Sequence, residues 1–391
     1  MGATFDLWQQ AFVLASMSGA GSSQQGTPDT LASELENTFK TFFSSQETIA
    51  DIGKWSIAWG PVIFESNPSP QSYADNTMYV AANADKTVYV VSIAGTNPNS
   101  SYDIYQEDLQ VQTTVAWTSA FGGSTPSGLN PYISTGTELG VNNLLGMTDT
   151  QTNQTLLQFL QSLSASGTQN SKLIFGGHSL AGALAPTLAL AFFNPAGGKL
   201  KLSDWSAVYL YPTAGPTPGN ADFGTFLSSV FPAISSTGPS YQVWNQNVWN
   251  SIDVVPHAWT IPMLEEIPTL YPASWSSGSE PDTLRFAIWY AKTLSNKGAG
   301  TGAGPYEQYA NQSIPGTVDK NISVKDLKSF EDQALYQHTT AYDILLGVQS
   351  LMPTTKYQAA YRPAVHAILS PRSAGEQRSL ATNRALSQLE A

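Results

Sequence analysis

The stretch Lys172-Leu-Ile-Phe-Gly-Gly-His-Ser-Leu-Ala-Gly-Ala-Leu-Ala185 decides the fold of this chain. Its first four residues form a short apolar run that predicts a buried strand, and residues 180–193 predict a helix of small and apolar residues. Between the two, Gly177-His-Ser-Leu-Ala181 fits the sharp strand-to-helix turn that lifts a serine hydroxyl clear of a sheet. The residues two before and two after that serine must be small, because strand and helix pass close there. We therefore predict that Ser179 is a nucleophile on such a turn.

The pattern around Ser179 is specific only together with the strand and the helix that flank it. A bare G-x-S-x-small pattern is expected about once by chance in a chain of this length, so the alternative is a glycine-rich turn with an incidental serine. The flanking strand and helix favour the nucleophile. The first turn of the helix would also supply backbone N–H groups and the positive end of its dipole where an oxyanion forms.

The charge balance excludes two classes of partner. The chain has 391 residues, with 17 Lys and Arg against 29 Asp and Glu, so its net charge is −12. Nucleic-acid binding needs clustered cations that displace counterions, and this chain has too few. Electrostatic attraction to an anionic membrane surface is disfavoured for the same reason.

The residues that hold metals are scarce. The sequence has no cysteine and four histidines, none of them in an H-x-x-x-H pair. Disulfides, thiolate nucleophiles and cysteine-based zinc sites are thereby excluded, and a histidine-rich metal site is not expected. We expect no metal and no organic cofactor.

The start of the chain carries no recognisable leader. Residues 1–10 have neither a basic region nor an apolar run, so no signal peptide is predicted. The compartment stays open: extracellular if a leader was removed before this numbering, and cytoplasmic otherwise. The most apolar stretch, residues 183–193, contains Pro186 and is too short to cross a bilayer, so no transmembrane segment is predicted.

Strand and helix patterns alternate along the chain, which favours an α/β fold with a mainly parallel central sheet flanked by helices. Predicted strands lie at 78–82, 87–94, 172–175, 207–211 and 241–248. Predicted helices lie at 4–17, from 28 to about 42, at 137–146, 154–163, 180–193, from a capping box at Ser279 and Asp282 to Gly298, and within 324–350. We predict one domain over residues 1–369, with N-terminal helices, a Pro- and Gly-rich insertion at 261–330 and a polar tail at 370–391.

Five segments, in order, resemble one family. The Ser179 segment is similar to the G-H-S-L-G-G-A-L-A signature of the class 3, fungal-type lipases of the α/β-hydrolase fold. Four more segments resemble the family's F-R-G-T strand end, its D-W-x-x-D-L stretch, its T-F-G-x-P-R-x-G-N-x-x-F loop and its N-x-x-D-x-V-P-H motif. They are Val90–Thr96, Ser101–Leu109, Val208–Phe223 and Val248–His257. Five collinear matches are far more specific than any one of them.

A serine hydroxyl needs a base to take its proton. The α/β-hydrolase order is serine, then an acid, then histidine, and Asp253 and His338 follow Ser179 in that order. The resemblance points to the same pair, because the family's histidine precedes an aromatic residue, here Tyr342. We expect His338 to be the base and Asp253 to orient it.

Other assignments of the base and the acid stay open at this point. His257 is the next candidate base, although the resemblance makes it structural, and His366 fits a packed position near the C-terminus. His178 is expected to brace neighbouring backbone rather than to react. His338 and Asp253 also have alternatives without a catalytic role: His338 is then a histidine at a helix start, and Asp253 is a turn residue. The competing carboxylates are those of Asp204, Asp222 and Asp319.

The oxyanion hole needs two donors aimed at the developing charge. The backbone N–H of Leu180 follows the nucleophile and is one of them. The resemblance assigns the other to Thr96, through its N–H and its hydroxyl. The family's lid falls at residues 97–125, where Trp117 and Phe121 are either the lid's apolar face or buried core.

Four features depart from the family pattern, and one of them is Pro216-Thr-Pro218, which replaces the usual P-R. Ala181 replaces a glycine, which adds a methyl group where strand and helix cross, and Ala94 replaces an arginine. Pro186 lies inside the predicted helix, where it removes one helical hydrogen bond to Gly182 at a cost of about 3 kcal/mol or kinks the helix. These departures indicate a divergent branch.

The function expected from these residues is carboxylic ester hydrolysis through an acyl-enzyme, on acylglycerol-type substrates. The partners are then an ester or lipid substrate and a transient lipid interface. Tryptophan-rich stretches at 244–259 and 275–289 suit an apolar acyl chain, although core packing explains most of them. The alternatives are phospholipase A1 or feruloyl esterase specificity, a peptidase or acyltransferase on the same fold, and an inactive lipid-binding relative.

Overall fold

A mainly parallel seven-stranded sheet organises the fold of residues 3–352, which are the residues that the computed structural model describes. The predicted tail and His366 lie outside this range. The strands are β1 Trp55–Phe64, β2 Asn76–Asn83, β3 Val88–Ile93, β4 Thr114–Ala116, β5 Tyr132–Ser134, β6 Thr148–Asp149, β7 Gln154–Thr155, β8 Thr168–His178, β9 Trp205–Thr213, β10 Ile234–Ser235, β11 Val243–Trp244, β12 Asn247–Asn250 and β13 Asn311–Ile314. The sheet order is β1-β2-β3-β8-β9-β12-β13, parallel from β3 onward, and the remaining strands form three small pairs.

Helices cover both faces of this sheet. They are α1 Leu7–Met17, α2 Pro28–Ser44, α3 Gln46–Ile52, α4 Trp117–Phe121, α5 Thr135–Gly146, α6 Leu156–Ala165, α7 Leu180–Phe193, α8 Ala221–Val230, α9 Ile261–Glu266, α10 Asp282–Gly298, α11 Leu327–His338 and α12 Thr340–Leu345. Short 3-10 turns lie at Leu202–Asp204 and Ile267–Thr269, and π-helical turns at Asp103–Asp108 and Ala299–Ala303.

The two faces of the sheet have separate apolar cores because side chains alternate along each strand. On one face, Val91 and Phe175 pack with helices α5 to α8. On the other, Val90 and Ile174 pack with α1 and α2. A buried parallel sheet covered on both sides is the expected result of strands joined by helical crossovers.

A third core lies beneath α10. It joins Leu284 and Leu294 of that helix to Val254 and Val255, which follow β12, and to Phe330 of α11. The loop that carries Asp253 and the helix that carries His338 are therefore packed against the segment predicted as an insertion.

The structure changes three details of the predicted elements. The capping box at Ser279 is wrong, because α10 begins after Pro281 and has no side-chain cap. The strand predicted at 241–248 is two short strands, since Asn245 between them has a left-handed backbone with φ of 62°. Residues 311–314 of the predicted insertion form β13, the edge strand of the central sheet.

Pro186 lies inside α7 without ending it. The ring leaves the carbonyl of Gly182 without its helical donor. In this fold the hydroxyl of Tyr309 donates to that carbonyl over 2.7 Å, and both groups are buried. The helix therefore continues because a residue from a distant part of the chain supplies the missing hydrogen bond.

We expect Tyr309→Phe to lower the free energy of unfolding by about 1–3 kcal/mol, because it leaves a buried carbonyl unpaired. Chemical denaturation of both proteins measures the difference. Tyr73→Phe, at a partly buried tyrosine before β2, is the control and should change stability little. Equal stability of Tyr309→Phe and the parent would contradict this account of α7.

Candidate active site

Three predicted site residues meet at one edge of the sheet because each follows a strand of the same direction. Ser179 follows β8, Thr96 follows β3 and Asp253 follows β12, and these strands run parallel. The carboxyl ends of parallel strands form the edge where α/β proteins bind ligands. His338 is the last residue of α11 and reaches the same edge from outside the sheet.

The backbone at Ser179 is strained in the way that the sequence predicts. Its φ is 61° and its ψ is −128°, which a residue with a side chain rarely adopts. A side chain on Gly177 would approach the Cβ of Ala181 to 2.5 Å, and one on Gly182 would approach Gly215 Cα equally closely. Ala181 is therefore tolerated only because its neighbour across the turn is glycine.

Ser179, His338 and Asp253 form a continuous hydrogen-bonded chain. The Oγ of Ser179 lies 2.8 Å from Nε2 of His338, and Nδ1 of His338 lies 2.8 Å from Oδ2 of Asp253. All three side chains are buried. A carboxylate only accepts, so Nδ1 carries the proton of the neutral ring, and Nε2 is free to accept the serine proton.

Two further donors hold the carboxylate of Asp253. The hydroxyl of Tyr342 donates to Oδ2 over 2.8 Å, and the N–H of Val255 donates to Oδ1 over 3.0 Å. Burial raises the pKa of Tyr342 well above its ordinary value, so this group stays a phenol and a donor. The Tyr342 hydroxyl itself accepts from the N–H of Asn250. Sequence reasoning used Tyr342 only as a landmark after His338 and missed this contact.

The two other histidines among residues 3–352 have structural contacts. Nε2 of His178 donates to the carbonyl of His338 over 2.8 Å, so the hydroxyl of Thr213 donates to Nδ1. Burial lowers the pKa of His178 to about 3, which keeps the ring neutral. The prediction that His178 braces backbone is confirmed. His257 places Nδ1 against the carbonyl of Asp253, at 2.7 Å.

Leu180 directly follows the predicted nucleophile, and Thr96 follows β3, the strand that pairs with β8. Neither of their backbone N–H groups has a hydrogen-bond partner among residues 3–352. The Thr96 hydroxyl is engaged, since it donates to the carboxylate of Asp108 at 3.0 and 3.2 Å. The N–H groups are thus free to donate to an anion, whereas the hydroxyl orients Thr96.

The site is closed. Ser179 is 1% exposed, and the space beside Thr96 is a cavity of about 20 Å³, room for a water molecule and no acyl chain. Ser18, Gly19 and Ser22, which follow α1, also line this cavity. Access to Ser179 therefore requires a displacement of covering chain.

The two aromatic residues of the segment predicted as a lid differ in burial. Trp117 is 1% exposed and packs against Phe223 and Phe226 of α8, so it belongs to the core. Phe121 is partly buried against Trp117. The lid at 97–125 stays a prediction, without Trp117 as its apolar face.

Three carboxyl groups in the turn Asp103–Asp108 accept hydrogen bonds from the surrounding chain. Asp108 accepts from the Thr96 hydroxyl, Asp103 accepts from the N–H of Asn97 at 2.7 Å, and Glu107 accepts from two asparagine side chains. Burial raises the pKa of Asp108 to about 7 and that of Glu107 to about 8, and it raises the pKa of Asp103 well above its usual range.

These carboxyl groups make stability fall with rising pH. The pKa of Glu107 is raised from 4.5 to about 8, so the folded chain holds a proton that the unfolded chain has released. The resulting stabilisation is present at acid pH and is lost as the pH rises through about 8. We expect Glu107→Gln, which cannot ionise, to gain stability relative to the parent between about pH 5 and 9, as measured by urea unfolding. A constant difference would contradict the raised pKa, and Glu34→Gln, at an exposed carboxyl on α2, is the control.

No helix within residues 3–352 combines the length and the apolar character that crossing a bilayer requires. Among the same residues, no group of three or more metal-binding side chains is found.

Comparison with known proteins agrees with the motifs. Residues 90–263 match the sequence model of the class 3 lipases. A search of curated proteins returns no match. Among solved structures, the chain is similar to the M37 lipase, with 24% identity, a TM-score of 0.69 and coverage of 93% of this chain and 98% of that chain.

More distant structural matches are lipases of fungi. Lipase II from Rhizopus niveus has 15% identity and a TM-score of 0.39, covering 66% of this chain and 76% of its own. The Rhizomucor miehei lipase with its propeptide has 18% identity and a TM-score of 0.37, covering 64% and 61%. The M37 lipase match carries the comparison, and it confirms the α/β-hydrolase fold.

Proposed function

We propose that this chain belongs to the class 3 lipase family, whose sequence model matches residues 90–263, and that it is a serine hydrolase that cleaves carboxylic esters through an acyl-enzyme intermediate. The family and the fold support an ester hydrolase. The observation that supports the mechanism most is the chain of 2.8 Å contacts from Ser179 through His338 to Asp253.

The first half of the reaction acylates the serine. His338 takes the proton of the Ser179 hydroxyl as the oxygen attacks the ester carbonyl, and the carbonyl oxygen becomes an anion. The unpartnered N–H groups of Leu180 and Thr96 donate to that anion, each worth about 2.7–4 kcal/mol in the transition state. When the intermediate collapses, the C–O bond to the alcohol breaks, and His338 returns its proton to the leaving oxygen.

The second half releases the acid. Water enters in place of the alcohol and gives a proton to His338 as its oxygen attacks the acyl carbon. The bond to Ser179 then breaks and the serine regains its proton from His338. Asp253 stabilises the charged histidine in both halves and keeps Nδ1 protonated, while Tyr342 and Val255 hold the carboxylate in place.

We propose acylglycerols as the substrate class, with a phospholipase A1 or a feruloyl esterase specificity as the alternatives. Since Ser179 is buried, the covering chain must open before any of these esters can bind. Turnover on emulsified substrate is therefore expected to exceed turnover on the same ester in solution.

A series of p-nitrophenyl esters from acetate to palmitate, in solution and as emulsions, tests the proposal. A lipase is expected to prefer the longer chains at an interface, and an esterase the shorter chains in solution. Parallel assays with a phosphatidylcholine and with a feruloyl ester separate the two alternatives. Absence of hydrolysis across the whole series would contradict the proposed function.

A further inference from the structure

Helix α10 exposes two aromatic rings, Phe286 and Trp289, and the half-buried ring of Tyr290 lies beside Phe286. Phe286 is 52% exposed and Trp289 is 58% exposed, more than any other large apolar side chain among residues 3–352. The Phe286 ring centroid lies 5.5 Å from that of Trp289 and 6.3 Å from that of Tyr290. We call Phe286, Trp289 and Tyr290 the α10 aromatic patch. Single exposed apolar side chains are ordinary, but a contiguous cluster marks an interaction surface.

The charges beside this patch are largely neutralised within the protein. Arg285 pairs with Asp282, and Lys292 pairs with Glu265 of α9. Helix α10 has three cationic residues and one acid, a net charge of +2 in a chain of net charge −12. The helix that carries the patch therefore does not share the negative charge of the chain as a whole.

The other side of α10 is fixed to the site. Leu284, Ile288 and Leu294 pack into the third core. The Ser295 hydroxyl donates to the carbonyl of Trp259 over 2.7 Å. The same core holds Val254, next to Asp253, and Phe330 of the helix that ends at His338. The aromatic patch is therefore the outer surface of an element that packs against both supports of the candidate relay.

We propose that the α10 aromatic patch docks the protein on an uncharged or zwitterionic lipid–water interface. Indole and phenol rings favour such interfaces, because one part of the ring is apolar and the other hydrogen-bonds to water. The neutralised rim meets no charge penalty there, whereas an anionic surface repels the chain as a whole. The choice of a lipid partner rests on the proposed function, since an ester hydrolase acting on lipid must reach its substrate at an interface.

Vesicle sedimentation tests this docking surface in the full-length protein. We expect the double variant Phe286→Gln and Trp289→Gln to partition onto phosphatidylcholine vesicles about 10–100-fold more weakly than the parent. The matched control is Leu202→Gln with Ile234→Gln, which removes two exposed apolar side chains elsewhere on the surface. That control should bind as the parent does. Adding phosphatidylglycerol to the vesicles should not strengthen binding.

Turnover of a soluble short-chain ester accompanies each binding measurement. Equal turnover by the parent and the double variant shows that the site is intact and that the lost step is docking. If the parent binds vesicles through this patch but hydrolyses no ester, the docking inference stands and the proposed function fails. Unchanged vesicle binding by the double variant would overturn the inference. So would a concentration-dependent dimer that the same substitutions abolish, because a second copy would then be the occupant.

Discussion

Replacing Ser179 with alanine is expected to lower kcat on soluble esters by about 10⁵–10⁶-fold, the largest effect of any single change in this protein. The substitution removes the oxygen that would form the acyl bond and leaves the rest of the site in place. Residual catalysis above the water rate should remain, because the N–H groups of Thr96 and Leu180 still polarise a bound carbonyl. KM should change little by comparison.

Steady-state kinetics on a soluble short-chain ester measure the effect of Ser179→Ala. Ser164→Ala, at a half-buried serine on α6, is the matched control and should keep full activity. Thermal unfolding of both variants verifies that the fold is retained. A Ser179→Ala protein with more than about a tenth of the parent's kcat would contradict the assignment of this oxygen as nucleophile.

Replacing Asp253 with asparagine is expected to lower kcat by about 10⁴-fold, or about 5.4 kcal/mol of transition-state stabilisation. The reason is the tautomer of His338. The Val255 N–H requires an acceptor, so the asparagine oxygen takes the place of Oδ1 and its NH₂ group takes the place of Oδ2. That NH₂ group donates to Nδ1 of His338 and shifts the ring proton to Nε2, which can then no longer accept from Ser179.

The measurement for Asp253→Asn is kcat together with the pH dependence of kcat/KM. Asp204→Asn removes a competing carboxylate outside the relay and should leave both unchanged. The NMR signals of the His338 ring protons report the tautomer directly, with the proton on Nδ1 in the parent and on Nε2 in the variant. Wild-type activity in Asp253→Asn would show that another group orients His338.

Local sequence signals were sufficient for the centre of this fold. The apolar run before Gly177 gave β8 and the small residues after Ser179 gave α7, because each pattern is short, periodic and bounded by glycine. Once β3, β8 and β12 are known to be parallel, the positions of Thr96, Ser179 and Asp253 at one edge follow from sheet geometry. The pattern at 324–350 predicts α11, but no local pattern places its last residue at that edge; the serine–acid–histidine order and the resemblance to a family pointed to His338.

Features that depend on contacts between distant residues could not be predicted. The sequence predicts that Pro186 should damage α7, and only the fold shows that Tyr309 donates to the carbonyl that the proline leaves unpaired. The sequence alone does not distinguish a lid residue from a core residue at Trp117. Its contact with α8 shows that it belongs to the core. The closure over Ser179 is likewise a property of packing and not of local sequence.

The central claim is that His338 activates Ser179 as a nucleophile, and covalent labelling tests it most directly. A fluorophosphonate probe is added to the parent and to His338→Ala, in the presence of phosphatidylcholine vesicles, and the adduct is located by peptide mass spectrometry. The account predicts one adduct per chain, on Ser179, formed rapidly in the parent and at least about 10³-fold more slowly in His338→Ala. An ester-hydrolysing protein that carries the probe on another residue, or labels equally fast without His338, would contradict it.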